Sequence, residues 1–240
     1  MEPDKSASIR VADSELTYEI YGSGRPLILL HGGWANKQIW QPQLEAFSQE
    51  YQVIPYDLRG HGDSTVGELP YSHVDDLTTL MDRIGIETAV LIGHDLGGSV
   101  ARAMAIERYD RVEALVLAAA GTQGLFGIAM PKDEMEILGR PLSAAREGDT
   151  ARAIEEHEAI WIHGVDHQAT DEVRDAIRTI LESHSFAEYQ PDAPEIMWST
   201  HKVQEMHLIQ QPAFLLWGLN DQPLIERTAV KTADYLPHVH

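Results

Sequence analysis

The chain has 240 residues, a length that suits one domain with room for an inserted segment. Its 38 acidic and 18 basic residues give a formal net charge of -20, which would repel phosphate backbones and anionic membranes, so neither nucleic acid nor membrane partners are expected. The sequence contains no cysteine, no signal-peptide core at its charged start and no apolar run near the ~20 residues of a membrane span, which together predict a soluble, cytoplasmic protein.

The first half of the chain alternates predicted strands with helix-forming sequence. Apolar and polar residues alternate at 15–21, as in a half-buried strand, and short apolar runs predict buried strands at 27–30, 52–56, 89–92 and 114–118. A helix is predicted at 74–84. Strands that alternate with helices indicate an α/β fold with a doubly wound, mostly parallel sheet.

Between residues 121 and 206 this alternation stops, and helical sequence takes its place. Helices are predicted at 133–146, 151–161, 171–185 and 193–205. The apolar positions expected on the inner face of this block are Ile154, Ala159, Ile160, Trp161 and Ile162, although such a stripe more often reflects packing than substrate contact. A further strand at 213–217 and a helix at 227–235 follow.

The stretch 89–98 organises the chain. Its apolar run stops at a Gly-x-Asp-x-Gly sequence centred on Asp95 and is followed by apolar residues at helical spacing, which predicts strand, sharp turn and helix. Gly93 and Gly97 flank Asp95 because a side chain at either position would crowd so tight a turn. Taken alone, the motif could also be an ordinary surface turn, since Gly and Asp are common turn residues.

Two upstream stretches give this turn a context: Leu-Ile-Leu-Leu-His-Gly-Gly-Trp at 27–34 and Asp-Leu-Arg-Gly-His-Gly-Asp-Ser at 57–64. With the turn at Asp95 they resemble, in order, three motifs of the α/β-hydrolase superfamily, in its branch with an Asp nucleophile: epoxide hydrolases and haloalkane or haloacid dehalogenases. The resemblance implies a hydrolase core at 1–120 and 207–240, with a helical cap at 121–206 that shapes the substrate pocket.

The resemblance also implies roles for individual residues. Asp95 would be the nucleophile, the backbone N–H groups of Gly33 and Leu96 would form the oxyanion hole, and Asp221 would be the acid that orients the catalytic histidine. His31 and His61 are expected to support their loops rather than to react. The residues expected to line the pocket are Trp34, Trp161, Tyr189 and Trp198.

An aspartate in the place of the usual serine restricts the chemistry. Attack by a carboxylate on an acyl carbon would give a reactive anhydride, whereas attack on an sp3 carbon that bears a halide or an epoxide oxygen gives a stable alkyl ester. The expected substrate is therefore a small apolar epoxide or alkyl halide, and no cofactor is expected. A metal site is not expected either, because His163 and His167 lack a third ligand at a recognised spacing and Gly164 argues against a rigid helix between them.

The match to either enzyme type is incomplete. Haloalkane dehalogenases usually have Trp and Asn where this chain has Leu96 and Gly33, and fluoroacetate dehalogenases favour Arg at the position of Leu96. Epoxide hydrolases usually have a proline at the position of Trp34 and two tyrosines in the cap. The cap segment of this chain has one tyrosine, Tyr189. Trp34, Trp161 or Trp198 could supply an indole donor to a halide, so the leaving group stays open.

The sequence ends before the position at which the superfamily places its catalytic histidine, after an eighth strand. His238 and His240 are expected at the start of that strand, at the end of the sheet opposite Asp95. Either the sequence is part of a longer protein that supplies this histidine and the full hydrolase mechanism, or one of three alternatives holds. These are a hydrolase in which ester formation proceeds and ester hydrolysis stalls, a binding protein without turnover, and an esterase-like or lactonase-like enzyme in which Asp95 is inert. The strand at 213–217 would have an open edge, which predicts self-association.

Overall fold

The computed structural model describes residues 1–122, 128–183 and 205–240. Within these ranges, seven strands form one sheet in the order β1-β2-β4-β3-β5-β6-β7. The strands are β1 (Lys5–Val11), β2 (Ser14–Ile20), β3 (Arg25–Leu30), β4 (Tyr51–Tyr56), β5 (Ala89–His94), β6 (Val112–Ala118) and β7 (Ala213–Leu216). β2 runs antiparallel to β1 and β4, whereas all other neighbouring strands are parallel. The predicted mostly parallel α/β sheet is confirmed.

Helices connect and flank these strands. They are α1 (Gln41–Phe47), α2 (His73–Ile84), α3 (Leu96–Glu107), α4 (Lys132–Leu138), α5 (Arg140–Arg146), α6 (Thr150–His157), α7 (Asp171–Ser183) and α8 (Pro223–Ala233). α6 continues into a π-helical turn over Glu158–Ile162, and a 3-10 turn precedes α1 over Lys37–Trp40. None of the helices in the described ranges has the length and apolar content that crossing a bilayer requires.

Several elements differ from the prediction. β1 was not predicted, although Ala7, Ile9 and Val11 alternate with exposed polar residues along it. The helix expected at 133–146 is two helices, because Pro141 lies in the first turn of α5, where its missing N–H and fixed φ suit a new start rather than a continuation. α8 begins at Pro223, four residues before the predicted start, for the same reason.

The central strands β3 and β5 are covered on both faces of the sheet. Ile28 and Leu30 of β3 belong to the larger core cluster with residues of α2 and α3, whereas Leu27 and Leu29 pack with Trp40 on the other face. Burial on both faces explains why β3 is an unbroken apolar run without alternation. It also places the carboxyl ends of β3 and β5, where His31 and Asp95 follow, in the middle of the sheet.

The chain between β6 and β7, residues 119–212, is called the insert here, and its described part contains α4 to α7. Ala144, Ala153, Ile154 and Leu181 form a small apolar cluster in it, against which Trp34 of the core packs. Ile154 and Ile160 are buried as predicted. Ala159, however, is exposed, which corrects its placement on the inner face: it lies in the π-helical turn, where the spacing of 3.6 residues no longer holds. The helix predicted at 193–205 lies outside the described residues apart from its last position.

The edge of β7 is partly covered. The Ala213 N–H donates to the His238 carbonyl at 2.9 Å and the Leu215 N–H donates to the His240 carbonyl at 3.1 Å, so the prediction of a fully open edge was wrong for this part of the strand. This pairing runs from Ala213 to Leu215, so His238 lies at the amino end of β7, opposite Asp95 as predicted, whereas His240 lies beside Leu215, further along the strand. Phe214, Leu216 and Trp217 are exposed, and self-association through this strand stays a prediction.

Candidate active site

Asp95 occupies a strained turn between β5 and α3. Its backbone has φ 46° and ψ -112°, in the half of φ that L residues rarely adopt, at the N-cap of α3. A Cβ at Gly93 would lie 2.3 Å from the Gly97 carbonyl oxygen, and one at Gly97 would lie 2.2 Å from the Leu30 carbonyl oxygen. The predicted strand, sharp turn and helix are thus present, and only glycine fits beside Asp95 at both positions.

Backbone hydrogen bonds hold the strained residue from the side of β6. The Asp95 N–H donates to the Ala118 carbonyl at 3.2 Å, and its carbonyl accepts from the Gly121 N–H at 2.8 Å. Ala119, between these partners, also has a positive φ of 44°. Because neighbouring strands fix the turn from outside, its strain persists in the folded protein.

The carboxylate of Asp95 points toward the loop after β3. Its Oδ2 accepts a hydrogen bond from the Gly33 N–H at 3.0 Å. The backbone N–H of Leu96 is the first of α3, where no carbonyl of the helix is available to accept from it. Two of the residues assigned to one site from the sequence, Asp95 and Gly33, are therefore in direct contact, and Leu96 adjoins them at the positive end of a helix.

His31 and His61 fix the loops around Asp95. His31 is fully buried, its Nε2 accepts from the Leu58 N–H at 2.9 Å, and its Nδ1 lies 2.7 Å from the Gly32 carbonyl oxygen. The two ring nitrogens of His61 each lie 3.0 Å from a carbonyl oxygen, those of Arg59 and Gly33. Burial lowers the pKa of His61. Both imidazoles thus link the loop after β3 to the loop after β4, as the predicted supporting role requires.

A buried ion pair strengthens the same link. The Lys37 ammonium lies 2.8 Å from Asp57 Oδ2 and 2.7 Å from Asp63 Oδ2, and the Lys37 and Asp57 side chains are 6% and 0% exposed. Burial disfavours the charged lysine, but the Asp57 and Asp63 carboxylates together outweigh that effect and raise the pKa of Lys37. The loop that carries Gly33 is therefore anchored at both of its ends.

Two further imidazoles lie near Asp95, and the sequence did not single them out. His94 precedes Asp95, and its Nδ1 is buried with no hydrogen-bond partner among the described residues. His157 comes from α6 of the insert, and its ring centroid lies 5.6 Å from that of Trp34. Burial lowers the pKa of His157 to about 4, the Asp95 carboxylate acts to raise it, and His94 acts to lower it further. The spacing of His157 between Ile154 and Ile160, three residues from each, was the available signal that it faces inward.

The other predicted site residues have different positions. Trp34 packs on the insert cluster, as a pocket residue would, and Trp161 is half-buried in the π-helical turn. Tyr189 and Trp198 lie outside the described residues. Asp221 Oδ2 accepts from the Gly218 N–H at 2.7 Å, so this carboxylate stabilises its own loop after β7. The described ranges contain no group of three His, Asp or Glu side chains arranged to hold a metal ion.

Contacts also tie the insert to the loop after β7. The Val165 N–H donates to the Asn220 carbonyl at 2.8 Å, and the Gln222 side-chain amide donates to the Ile160 carbonyl at 2.8 Å. A Cβ at Gly164 would lie 2.3 Å from the Asn220 carbonyl oxygen, so the two loops touch backbone to backbone. The insert is thereby held next to the carboxyl end of the sheet, where Asp95 lies.

The chain is similar to hydrolases in sequence and in fold. It is 35% identical over 108 residues to RutD of Azorhizobium caulinodans, a protein named as a carbamate hydrolase; the match covers 44% of this chain and 41% of that one. It is 39% identical over 106 residues to a soluble epoxide hydrolase of a Corynebacterium species, covering 42% of this chain and 36% of that one. The matches to these two curated relatives thus span well under two thirds of their length.

Similarity in fold extends much further along the chain. A structure reported with carboxylesterases of Nitrososphaera gargenis aligns with a TM-score of 0.78 at 21% identity, covering 98% of this chain and 88% of that one. Residues 27–239 match the model of the alpha/beta hydrolase family. This match includes most of β3, the turn at Asp95, the whole insert and β7. The chain belongs to the alpha/beta hydrolase family.

Proposed function

We propose that this hydrolase uses Asp95 as a nucleophile on a small, uncharged epoxide or alkyl halide and forms an alkyl ester on the Asp95 carboxylate. The observation that carries the proposal is the hydrogen bond from the Gly33 N–H to Asp95 Oδ2 in a turn that strains the Asp95 backbone. One carboxylate oxygen is held by the donor, which leaves the other to attack. The 39% identity to a soluble epoxide hydrolase over the matched stretch supports the epoxide half of the proposal.

The Gly33 and Leu96 N–H groups form the oxyanion hole in this mechanism. When water attacks the ester carbon of Asp95, negative charge develops on the carbonyl oxygen that the Gly33 N–H already binds. A donor in place before the reaction costs no reorganisation when the charge appears, and one such donor contributes roughly 10² to 10³ in rate. The insert acts as the cap that excludes bulk water from this site.

The charge of the site favours a neutral substrate. The carboxylate at the turn is that of Asp95. The pKa of His157, which comes from the insert, is lowered to about 4, so this imidazole is uncharged at neutral pH. Trp34, the residue after Gly33, packs against the apolar cluster of the insert. A small apolar electrophile therefore fits better than an anionic acid.

The test is covalent labelling followed by intact-mass spectrometry. Incubation with an aryl epoxide or a primary alkyl bromide should add one equivalent to the protein or be turned over, and peptide mapping should place any adduct on Asp95. Asp95→Asn keeps the shape of the side chain but loses the attacking charge, so both labelling and turnover should disappear. Asp110→Asn, at an exposed carboxylate away from the site, is the matched control and should react like the parent.

Two results would contradict this proposal. Labelling of Asp95→Asn at the rate of the parent would place the nucleophile elsewhere in the chain. Hydrolysis of simple esters that survives in Asp95→Asn, with no reaction toward epoxides or halides in the parent, would instead identify an esterase-like enzyme in which Asp95 is inert.

A further inference from the structure

His157 is a buried imidazole in the interior of the site. Its side chain is 8% exposed, and its Nδ1 has no hydrogen-bond partner among the described residues. A buried polar atom without a hydrogen-bond partner destabilises a folded protein, and most buried polar atoms in folded proteins have a partner. The free energy lost at His157 Nδ1 would be recovered by a ligand that brings a polar atom to it.

The position of His157 relative to Asp95 shows where that ligand would lie. Asp95 follows β5 in the core, whereas His157 ends α6 in the insert, and its ring contacts Trp34, the residue after the Gly33 donor. The charges of Asp95 and His94 both act on the His157 imidazole, so the three side chains lie within electrostatic range of one another. His157 thus approaches the region of Asp95 from the insert, whereas Gly33 contacts Asp95 from the core.

Substitution at an sp3 carbon has a fixed geometry that this arrangement matches. The nucleophile attacks from the side opposite the bond that breaks, so the departing atom points away from Asp95 and toward the insert. There the Nδ1 of a neutral imidazole, in the tautomer that carries a proton on this atom, is a hydrogen-bond donor. A hydrogen-bond donor on the insert can stabilise the departing atom, whereas Asp95 and Gly33 lie on the side from which the attack comes.

We propose that His157 donates a hydrogen bond from Nδ1 to the oxygen that leaves carbon when Asp95 opens an epoxide. The inference rests on the proposed function. One bond forms between Asp95 and carbon, the carbon–oxygen bond breaks, and the oxygen keeps both electrons of that bond and takes its proton from water. The imidazole stays neutral throughout: it stabilises the developing alkoxide and selects a substrate whose leaving atom accepts a strong hydrogen bond.

The test compares two leaving groups, because a role in packing would affect both alike. The rate at which an aryl epoxide labels Asp95 is measured beside the rate for a primary alkyl iodide, whose leaving iodide needs little hydrogen bonding. We expect His157→Phe to slow the epoxide reaction by about 10²-fold, the effect of removing one preorganised donor, and to change the iodide reaction by less than about 3-fold. His157→Asn should restore much of the epoxide rate, since the Asn amide nitrogen can replace Nδ1 as a donor.

Several outcomes would overturn the inference. Equal slowing of both reactions in His157→Phe would show that the ring only packs, and unchanged rates for both would show that it does nothing in this step. Normal labelling with loss of turnover alone would assign His157 to ester hydrolysis instead. A parent protein that neither reagent labels would refute the proposed function itself, which separates that failure from these. Matching thermal unfolding midpoints for parent and variants establish that each remains folded.

Discussion

At the scale of single residues, the site depends on a glycine that a larger residue cannot replace. Gly97 lies in the first turn of α3, and the Leu30 carbonyl of β3 occupies the space in which its Cβ would stand. The Leu30 carbonyl is part of the backbone of the central sheet, so it cannot shift to make space for a side chain at Gly97. The first turn of α3 thus packs directly against the end of β3, and this contact fixes the position of Asp95.

Gly97→Ala should therefore destabilise the protein by about 3 kcal/mol, since overpacking against rigid backbone costs at the upper end of the usual range. Gly85→Ala is the matched control: Gly85 has φ 76°, but no atom lies within 4 Å of its added Cβ. Its cost should be about 1 kcal/mol, from backbone strain alone. Urea unfolding of both variants measures the difference, and equal values would show that the approach of α3 to β3 is looser than described.

At the scale of elements, the two loops that frame Asp95 are joined by charge. The Asp57 carboxylate is fully buried and accepts from the Lys37 N–H, the Asp63 N–H and the Lys37 ammonium, at distances between 2.7 and 2.9 Å. The loop after β3 and the loop after β4 are therefore joined through one carboxylate. Loss of the cation would leave a buried negative charge without its counterion.

Lys37→Met should lower the free energy of unfolding by about 3 kcal/mol, the size seen when one partner of a buried pair is removed. The control is Arg25→Met, which breaks the Arg25–Glu113 pair; because Arg25 is 53% exposed, this change should cost at most about 1 kcal/mol. Adding Asp57→Asn to Lys37→Met should recover part of the loss, because the remaining charge disappears. Additive losses in urea unfolding would mean that the two residues do not interact.

The elements show what sequence patterns can and cannot reveal. Strands β3 and β5 were predictable because burial on both faces produces an unbroken apolar run, and the turn at Asp95 because only glycine fits beside it. The division of 132–146 into α4 and α5 was overlooked although Pro141 marks it. His157 was not predicted as a site residue, because helical spacing shows only that a residue faces inward, and its approach to Asp95 depends on how the insert packs on the core.

At the scale of the whole molecule, acid should weaken the fold through buried neutral histidines. His73, the first residue of α2, is buried, and burial, with the charges of His61 and Arg59, lowers its pKa to about 3. The unfolded chain has an ordinary histidine pKa of 6.5 at this position. Between these values the unfolded state binds a proton that the folded state does not.

The free energy of unfolding should therefore fall as pH is lowered below 6.5, by up to about 1.4 kcal/mol per pH unit from this residue, and should not depend on His73 above that pH. His73→Phe should remove this part of the slope between pH 6.5 and 5, a range chosen because most carboxylates are still ionised there. His167→Asn, at an exposed position, is the control and should keep the full slope. Chemical unfolding at several pH values measures it, and parallel curves for parent and His73→Phe would contradict the prediction.

The hydrogen bond between Gly33 and Asp95 has a consequence for which molecules the site can bind. In the terms of binding equilibria, the Asp95 carboxylate is a tethered ligand of the Gly33 N–H, and even short flexible tethers give effective concentrations on the order of millimolar. A free carboxylate or phosphate would have to displace this built-in competitor and then remain beside its negative charge. Small anions should thus bind weakly beside Asp95, whereas an uncharged molecule meets no such competition.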